Sequence, residues 1–362
     1  MHSVTIGNRI KVGSTIIEAD TPYLMSNVLT GMLMSNDTIV EGVPFYSKVS
    51  AQKRVLDFGI KPKSQVVWLI RTGGFGDLLM LTPTIRRILE KGYFVNVVCE
   101  GSYKCLFDGW ATRFGDRFKV WDDPIREDLI PSEDTVICYE GVIEGAEKAK
   151  TVHAVDLFGK WAGVEIEDRT LTYHLSVGEE KWAGIVYPKT EKKRVGIQAR
   201  ASAAVRTYDP SLLAVVIELL RSEGNEVFLF GAPGDITCDM KDIVNLSESG
   251  LTFRQSVAVM STCDAFFAPD SALAHVAQAI EIPLLALYGS FPSHLRVTGD
   301  PSITDVIDAK GECAPCFHHA GVRPENKWPM EGPCRKADFC TVLAGVSPGK
   351  IAKRIVNLMG GV

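Results

Sequence analysis

The sequence has no long apolar run and no excess of positive charge. No stretch approaches the ~18 consecutive apolar residues that a membrane-spanning helix needs, and residues 1–20 alternate polar and apolar residues, unlike a signal peptide. The net charge of −5 gives no overall positive field that would attract nucleic acid. Five of the nine cysteines are scattered, and most of these five lie in apolar runs, which is typical of reduced core thiols. These absences predict a cytoplasmic protein without a transmembrane segment.

The chain of 362 residues is long enough for two domains. Strand and helix patterns alternate from residue 65 and again from residue 194, and their continuous apolar strands indicate α/β domains with parallel sheets. The polar segment at about residues 175–193, between the two patterns, is the best linker candidate. We predict an N-terminal β-rich extension, a first Rossmann-like domain, a second Rossmann-like domain and a final amphipathic helix, over residues 1–60, 61–178, 179–345 and 346–362.

A glycine-rich loop follows the first apolar strand and ends in a carboxylate, in the sequence LIRTGGFGD. Its glycines, Gly73, Gly74 and Gly76, do not complete a dinucleotide fingerprint, because Leu79 stands where the third glycine belongs, and no P-loop lysine follows. The glycines alone could simply form a tight turn. Asp77 would repel a phosphate at that helix start, so the loop is better suited to an acceptor and a general base.

The second half carries groups suited to an anion. In FFAPDSALAH a strand ends at Asp270 and Ser271 begins a helix, whose free N–H groups form a natural diphosphate site. His275 lies one turn into that helix, on the face of Ser271. The equally weighted alternative is that Asp270 is an N-cap aspartate and His275 a core histidine.

Two further strand ends in this half carry polar residues. One loop contains Arg200, Ser202 and Arg206, and two arginines after a strand are suited to a phosphate. The alternative is that they are solvated surface charges. Asp235 ends the loop LFGAPGD and could accept a hydrogen bond from a ribose hydroxyl.

Four cysteines cluster near the C-terminus: Cys313, Cys316, Cys334 and Cys340. A C-x2-C pair with two more cysteines nearby indicates a structural zinc site. The second pair is spaced more widely than is usual for a zinc knuckle, so reduced, metal-free thiols are the equal alternative.

The motifs, taken in order, resemble glycosyltransferase family 9, the ADP-heptose:lipopolysaccharide heptosyltransferases and their relatives. The matching pieces are IRTGGFGDLLMLTPTIRRI, HAVDLFGKWAGV, GIQARASAAVRTYDP, LFGAPGD and APDSALAHVAQAIEIPLLALYGS. The resemblance implies the GT-B architecture, in which two Rossmann-like domains face each other across a cleft. It also implies that the C-terminal domain binds the nucleotide-sugar donor, that the N-terminal domain binds the acceptor, and that the last helix crosses back.

The resemblance assigns roles to individual residues. Asp77 matches the proposed catalytic base of the family, Arg206 matches a basic residue that contacts the donor phosphates, and Ser202 stands near a hydroxyl position. The donor motif is matched by Asp270, Ser271, Ala272, Leu273 and His275. Ala272 stands where the family usually has glycine, which leaves the identity of the donor open.

The reaction expected from this resemblance is inverting and needs no catalytic metal. It would move heptose or a similar sugar from a nucleoside-diphosphate sugar to a hydroxyl of a glycan or lipopolysaccharide core. A phage-type enzyme acting on a modified DNA base is an alternative within transferases. An NAD-dependent oxidoreductase, with Glu100 as the ribose-binding acid, and a non-catalytic nucleotide-sugar binder are alternatives from other classes.

Overall fold

A computed structural model describes residues 64–143, 147–235, 243–318 and 338–360, together with the backbone of five short strands within residues 2–44. The chain divides into two compact units. The first comprises Met1–Ala149 and Ala154–Arg169, and the second comprises Lys150–His153 and Thr170–Val362. None of the described helices has the length and apolar character needed to cross a membrane.

The first unit is built on a four-stranded parallel sheet of order β10-β6-β7-β8. Its strands are β6 (Val66–Ile70), β7 (Phe94–Cys99), β8 (Phe118–Asp122) and β10 (Thr135–Cys138). This order reverses direction between β6 and β10, and such a switch point is where open α/β sheets bind ligands. Trp68, Ile70, Val98 and Val136 form a buried cluster on the sheet, consistent with the apolar strands of the sequence.

Helices cover this sheet: α1 (Phe75–Glu90), α2 (Trp110–Phe114) and α3 (Ala154–Ala162). Helix α1 connects β6 to β7 and packs against both α3 and β7. Its buried residues include Leu78, Leu81, Ile85 and Ile88, a spacing of three or four residues that places them on one face. Short 3-10 helices lie at Gly101–Phe107, Gly115–Arg117, Glu127–Leu129 and Glu147–Lys150.

The N-terminal extension contributes strands, as predicted. These are β1 (His2–Ile6), β2 (Ile10–Val12), β3 (Thr15–Ile17), β4 (Pro22–Met25) and β5 (Ile39–Pro44). Strands β2 and β3 pair with each other, while an antiparallel sheet of order β5-β1-β4-β9 ends on β9 (Ile125–Arg126). The extension is therefore joined to the first unit by backbone pairing. The sequence MSNVLTGMLMSN at residues 25–36 is compatible with a short helix, and residues 26–36 lie outside the described residues.

The second unit contains a six-stranded parallel sheet of order β13-β12-β11-β14-β15-β16. Its strands are β11 (Arg194–Gln198), β12 (Glu226–Phe230), β13 (Val244–Asn245), β14 (Ala265–Pro269), β15 (Leu284–Tyr288) and β16 (Thr304–Asp308). In chain order this is 3-2-1-4-5-6, the dinucleotide-fold order. The switch point lies between β11 and β14, so the loops after these two strands meet at one edge.

The helices of this unit are α4 (Val177–Val186), α5 (Pro210–Ser222), α6 (Phe253–Met260), α7 (Ala272–Ala279), α8 (Thr341–Ala344) and α9 (Pro348–Gly360). Short 3-10 helices lie at Ala204–Arg206 and Ser293–Leu295. Helix α5 begins with proline at its first position, after Asp209, whose side chain accepts the Ser211 N–H at 2.8 Å. Local sequence signals thus determine where this helix starts.

The last helix, α9, packs within the second unit. Ile351, Ala352 and Ile355 are buried in the same apolar cluster as strands β11, β12, β14 and β15. The Tyr208 hydroxyl donates to the Val346 carbonyl at 2.6 Å just before the helix begins. Its amphipathic character is therefore explained by the core of its own unit, and the expected crossing back stays a prediction.

The predicted fold class, two doubly wound α/β sheets of GT-B type, is confirmed. One local prediction was wrong, because the polar linker candidate at residues 175–193 contains helix α4. There the Ser176 hydroxyl accepts the Glu179 N–H, and the Glu179 carboxylate accepts the Ser176 N–H. A polar composition is compatible with an exposed helix once such a capping box fixes its start. The domain boundaries drawn from composition remain predictions.

Candidate functional site

The glycine loop of the first unit is shaped around the Asp77 carboxylate. Helix α1 begins at Phe75, two residues earlier than expected, so Asp77 is its third residue. Gly74 is the N-cap residue with φ +82, a conformation that side chains other than glycine rarely adopt. A Cβ atom at Gly74 would also lie 2.6 Å from Asp77 Oδ2. Glycine is therefore required there for both backbone conformation and space.

Arg71, the first residue after β6, makes the central contact of this loop. Its side chain is buried, and its guanidinium forms an ion pair with Asp77 Oδ2. Arg71 Nε donates to the Gly73 carbonyl at 3.0 Å, and Nη1 donates to the Tyr139 carbonyl at 3.2 Å. The guanidinium is thus fixed by backbone groups on two sides of the switch point.

Glu140 provides a second carboxylate on the loop after β10. Its Oε1 accepts the Thr72 N–H at 2.6 Å and the Thr72 hydroxyl at 2.8 Å. Its Oε2 lies 3.8 Å from Arg71 Nη1. The loops after β6 and β10 are therefore tied together at the switch point, and two carboxylates share one guanidinium.

Tyr103 packs against the same loop. Its ring lies edge-on to Phe75, with 4.4 Å between the ring centroids. Burial raises the pKa of its phenol above the ordinary value, as does the charge of Glu100, while a hydrogen bond with the Gly74 backbone acts in the opposite direction. The phenol is therefore neutral at physiological pH and is a hydrogen-bonding group next to Asp77.

At the switch point of the second unit, hydrogen bonds again join two strand-end loops. The Ser271 hydroxyl donates to Gln198 Oε1 at 2.5 Å and weakly caps α7 by accepting the Ala274 N–H at 3.4 Å. Arg206 Nη1 donates to the Asp270 carbonyl at 2.9 Å, and its Nη2 donates to the Ser202 hydroxyl at 3.1 Å. The structure thus brings Ser202, Arg206, Asp270 and Ser271 together, as expected from the motifs.

One donor of Arg206 is left over in this arrangement. Its Nε is buried and has no hydrogen-bond partner among the described residues. A buried N–H without a partner costs free energy, and the cost is larger for a charged group. The arrangement therefore favours an additional acceptor, above all an anion, beside the first turn of α7.

The remaining donor-motif residues line the start of α7. His275 is buried, with its Nε2 3.9 Å from Asp270 Oδ1. Leu273 is buried, and Ala272 is partly exposed. Burial raises the pKa of the Tyr288 phenol at the end of β15 well above its ordinary value, and the charge of Asp270 adds to this. The strand end thus combines a carboxylate, an imidazole and a neutral phenol in a buried setting.

Arg200 and Asp235 have contacts elsewhere. The Arg200 guanidinium donates to the Asp338 carbonyl at 3.4 Å, so in this structure it is not directed at Ser202 or Arg206. Asp235 Oδ2 accepts the Ala232 N–H at 2.7 Å and closes the turn after β12. A strand-end position alone did not determine where these two side chains point.

Comparison with known proteins identifies the second half of the chain. Residues 146–325 match the model of glycosyltransferase family 9 (heptosyltransferase). This region belongs to glycosyltransferase family 9. The recognition made from the motifs is confirmed, and family 9 membership implies glycosyl transfer from a nucleotide-sugar donor. The glycine loop with Asp77 lies before the matched residues, and no curated protein matches the sequence.

Solved structures share the fold across both units. The iron-containing dodecameric glycosyltransferase TibC of enterotoxigenic E. coli is 14% identical, with a TM-score of 0.60 over 82% of this chain and 76% of TibC. E. coli ADP-heptose lps heptosyltransferase II is 15% identical, with a TM-score of 0.57 over 81% of this chain and 98% of that enzyme. A family 9 structure from Veillonella parvula is 13% identical, with a TM-score of 0.57 over 82% of this chain and 98% of that protein. At these identities the likeness is one of fold.

The cysteine cluster near the C-terminus is only partly described. The Phe317 N–H, next to Cys316, donates to the Ser290 carbonyl at 2.8 Å, and a Cβ at Gly289 would lie 4.0 Å from Cys340 Sγ. Within the described ranges, no three His, Cys, Asp or Glu residues are arranged to hold a metal ion. Cys334 lies outside those ranges, so the four-cysteine zinc site stays a prediction.

Two of the scattered cysteines, Cys99 and Cys263, are buried core residues, whereas Cys105 and Cys138 are partly exposed. Burial raises the pKa of the Cys99 and Cys263 thiols to about 12, so both are protonated and unreactive at physiological pH. The cysteines that the structure describes are all free of disulfide bonds.

Sequence reasoning missed four polar residues of the two switch points: Arg71, Thr72, Glu140 and Gln198. Arg71 and Thr72 lie inside the quoted glycine-loop motif, so a strand-end arginine beside a carboxylate was an available signal. Glu140 and Gln198 carry no local signal, because their importance comes from a partner 68 or 73 residues away in the chain.

Proposed function

We propose that this chain is an inverting glycosyltransferase that moves a heptose or similar sugar from a nucleoside-diphosphate sugar to an acceptor hydroxyl. A glycan or lipopolysaccharide core is the proposed acceptor, and the cytoplasm is the proposed location. The observation that carries the proposal is the buried Arg206 Nε at the start of α7, which has no hydrogen-bond partner among the described residues. A nucleoside diphosphate would supply the missing acceptor.

The proposed donor site combines two sources of positive potential. Arg206 supplies a guanidinium, and the first turn of α7 supplies backbone N–H groups and the positive end of the helix dipole. Negative charge grows on the diphosphate as the sugar–phosphate bond breaks, so both groups would stabilise the transition state more than the ground state. TibC has been solved in complex with ADP-D-beta-D-heptose, which supports a donor of this class.

The proposed acceptor chemistry uses Asp77. Its carboxylate would take the proton as the acceptor O–H bond breaks, and the acceptor oxygen would form a bond to the anomeric carbon. The bond between that carbon and the diphosphate oxygen would break, and its electron pair would leave with the nucleoside diphosphate. Attack from the face opposite the leaving group inverts the anomeric configuration.

Thermal-shift titrations against ADP, UDP, GDP, CDP, NAD and NADH test the donor class. A ligand at 100 times its Kd adds about 2.7 kcal/mol to the free energy of unfolding, so binding is easily seen. We expect a shift with one nucleoside diphosphate and none with NAD. A shift with NAD alone would overturn the proposal in favour of an oxidoreductase.

Product analysis tests the finer claims. The donor identified by the thermal shifts is incubated with three kinds of acceptor: lipopolysaccharide core, other glycans, and DNA with modified bases. The anomeric configuration of the product is then determined by NMR. We expect an inverted product on a glycan and unchanged turnover after treatment with a chelator. Retention of configuration would contradict the proposed mechanism, as would a loss of turnover that a metal restores while the thermal unfolding of the chelator-treated protein is unchanged.

Metal analysis tests the cysteine site separately. We propose a structural zinc ion bound by Cys313, Cys316, Cys334 and Cys340. Purified protein should contain one equivalent of zinc by plasma mass spectrometry, and Cys313→Ser should lower it, while replacing the buried Cys263 should not. If the protein contains iron in place of zinc, the cysteine site binds the metal that is named for TibC.

A further inference from the structure

The buried guanidinium of Arg71 is the least expected feature of the first unit. A charged side chain that is 3% exposed is costly unless several partners compensate for it. Arg71 has such partners on both sides of the switch point: the carbonyls of Gly73 and Tyr139 and the Asp77 carboxylate. These partners hold the guanidinium in one place, and through it they hold Asp77.

The ion pair determines which oxygen of Asp77 is available. Arg71 binds Oδ2, the oxygen that also lies against Gly74. No hydrogen bond from the described part of the chain reaches Oδ1, and the Asp77 side chain is 22% exposed. Oδ1 is therefore the oxygen that an acceptor hydroxyl can approach.

The second carboxylate explains how a base paired with arginine can still accept a proton. Arg71, Asp77 and Glu140 together carry a net charge of −1. When Asp77 takes the proton from an acceptor hydroxyl, the cluster becomes neutral and Arg71 keeps Glu140 as a counter-charge at 3.8 Å. The guanidinium is thus never left as an uncompensated buried charge.

We propose that Arg71 is a positioning residue that fixes the Asp77 carboxylate, with Glu140 as its second counter-charge. The inference rests on the proposed role of Asp77 as the base. It predicts that the rate of the chemical step depends on the Arg71 guanidinium, although Arg71 itself touches neither substrate.

The first test does not depend on turnover. A double-mutant cycle of Arg71→Gln and Asp77→Asn, measured by the midpoint of thermal unfolding in the full chain, reports whether the two side chains are coupled. We expect the double variant to lose clearly less stability than the sum of the two single losses. Additive losses would show that the pair does not hold Asp77 and would overturn the inference.

The second test is turnover with chemical rescue. Misplacing a catalytic group by about 1 Å costs about 10²-fold in rate, so Arg71→Ala should lose about that much kcat with little change in the donor KM. Millimolar guanidinium should restore part of the loss, because the vacated cavity can bind it, whereas sodium chloride should not. Arg71→Lys should retain more kcat than Arg71→Gln, which has no charge.

Arg194 provides a matched structural control. It is 2% exposed, pairs with Glu226 at 3.3 Å in the second unit, and is the first residue of β11, at the end of the strand opposite the loop that contains Ser202 and Arg206. Arg194→Lys should lower the unfolding temperature without a selective loss of kcat and without rescue by guanidinium.

The outcomes separate the inference from the proposed function. Wild-type kcat in Arg71→Gln, together with an inactive Asp77→Asn, would overturn the inference and leave the proposed base in place. Full activity in Asp77→Asn would overturn the proposed base itself. Absence of transfer in the wild type with every donor would contradict the proposed function, and the stability cycle would still decide whether Arg71 holds Asp77.

Discussion

The two switch points have similar hydrogen-bond networks, yet they differ in the partners that surround the arginine of each. In the first unit, Arg71 and Thr72 cross-link the loops after β6 and β10 through Tyr139 and Glu140. In the second, Arg206 and Ser271 cross-link the loops after β11 and β14. We call the switch point of the first unit the first edge and that of the second unit the second edge. At each edge, an arginine side chain donates a hydrogen bond to a carbonyl of the neighbouring loop.

The difference lies in charge balance. The guanidinium of Arg71 has two carboxylate neighbours, whereas Arg206 bonds a carbonyl and a hydroxyl and keeps a buried Nε without a partner in the described structure. The first edge is negative overall and suits a proton acceptor. The second favours an anion from outside the chain. The same fold therefore supports two kinds of chemistry, depending on what surrounds one arginine.

Asp77→Asn is expected to have the largest effect, because it removes the proposed proton acceptor of the first edge. General-base removal costs about 10²–10⁴-fold in rate, so kcat should fall within that range while the nucleotide-induced thermal shift stays the same. Asp128→Asn, an exposed aspartate paired with Arg126 in the same unit, is the control and should retain kcat.

Arg206→Gln should mainly weaken nucleotide binding at the second edge. A hydrogen bond to a charged group contributes about 1.5–3 kcal/mol, or about ten- to a hundredfold in Kd. Calorimetric titration with the nucleoside diphosphate measures the change. Arg221→Gln, on the last turn of α5 and paired with Glu218 at 2.8 Å, should bind like the wild type. Equal binding by Arg206→Gln would contradict the assignment of this edge to the diphosphate.

Gly74→Ala should destabilise the first unit by about 1–3 kcal/mol, the cost of forcing a side chain into a positive-φ conformation. Its methyl group would also displace Asp77 Oδ2, so kcat should fall as well. Thermal unfolding and turnover measure the two effects. Gly73→Ala adds a methyl group where no atom lies within 4 Å, and it should cost clearly less stability.

Glu179→Gln should have the smallest effect, because it lies away from both edges. Hydrogen bonds from Arg254 hold the pKa of Glu179 at about 2, below its ordinary value of 4.5. A lowered pKa stabilises the fold above pH 4.5, and this stabilisation is lost as pH falls from 4.5 towards 2. Unfolding temperatures of the variant should therefore depend less on pH in that window. Glu180→Gln, one residue further along α4, should follow the wild type.

Much of the fold was readable from local sequence. The apolar runs VVWLI, FVNVVCE, RVGIQA, EVFLFG, DAFFAPD and PLLALYG predict strands that agree with β6, β7, β11, β12, β14 and β15 to within about two residues. The reason is that burial on both faces of a parallel sheet demands unbroken apolar runs. Strands β8 and β16 were missed: their mixed residues, FKVWD and TDVID, reflect partial exposure at the sheet edges. Strand β10 also lies at a sheet edge, but it is mostly buried and its apolar run TVICYE predicted it.

The sequence by itself determined the parallel α/β class, the start of α5, and the residues that follow each strand. These depend on apolar periodicity, capping and glycine conformation, which act over a few residues. Only the tertiary structure decided that Arg71 lies between Asp77 and Glu140, that Ser271 bonds Gln198, and that Arg200 bonds Asp338 instead of joining Arg206. The physical reason is that these contacts join loops far apart in the chain, and the strand order of each sheet brings them together.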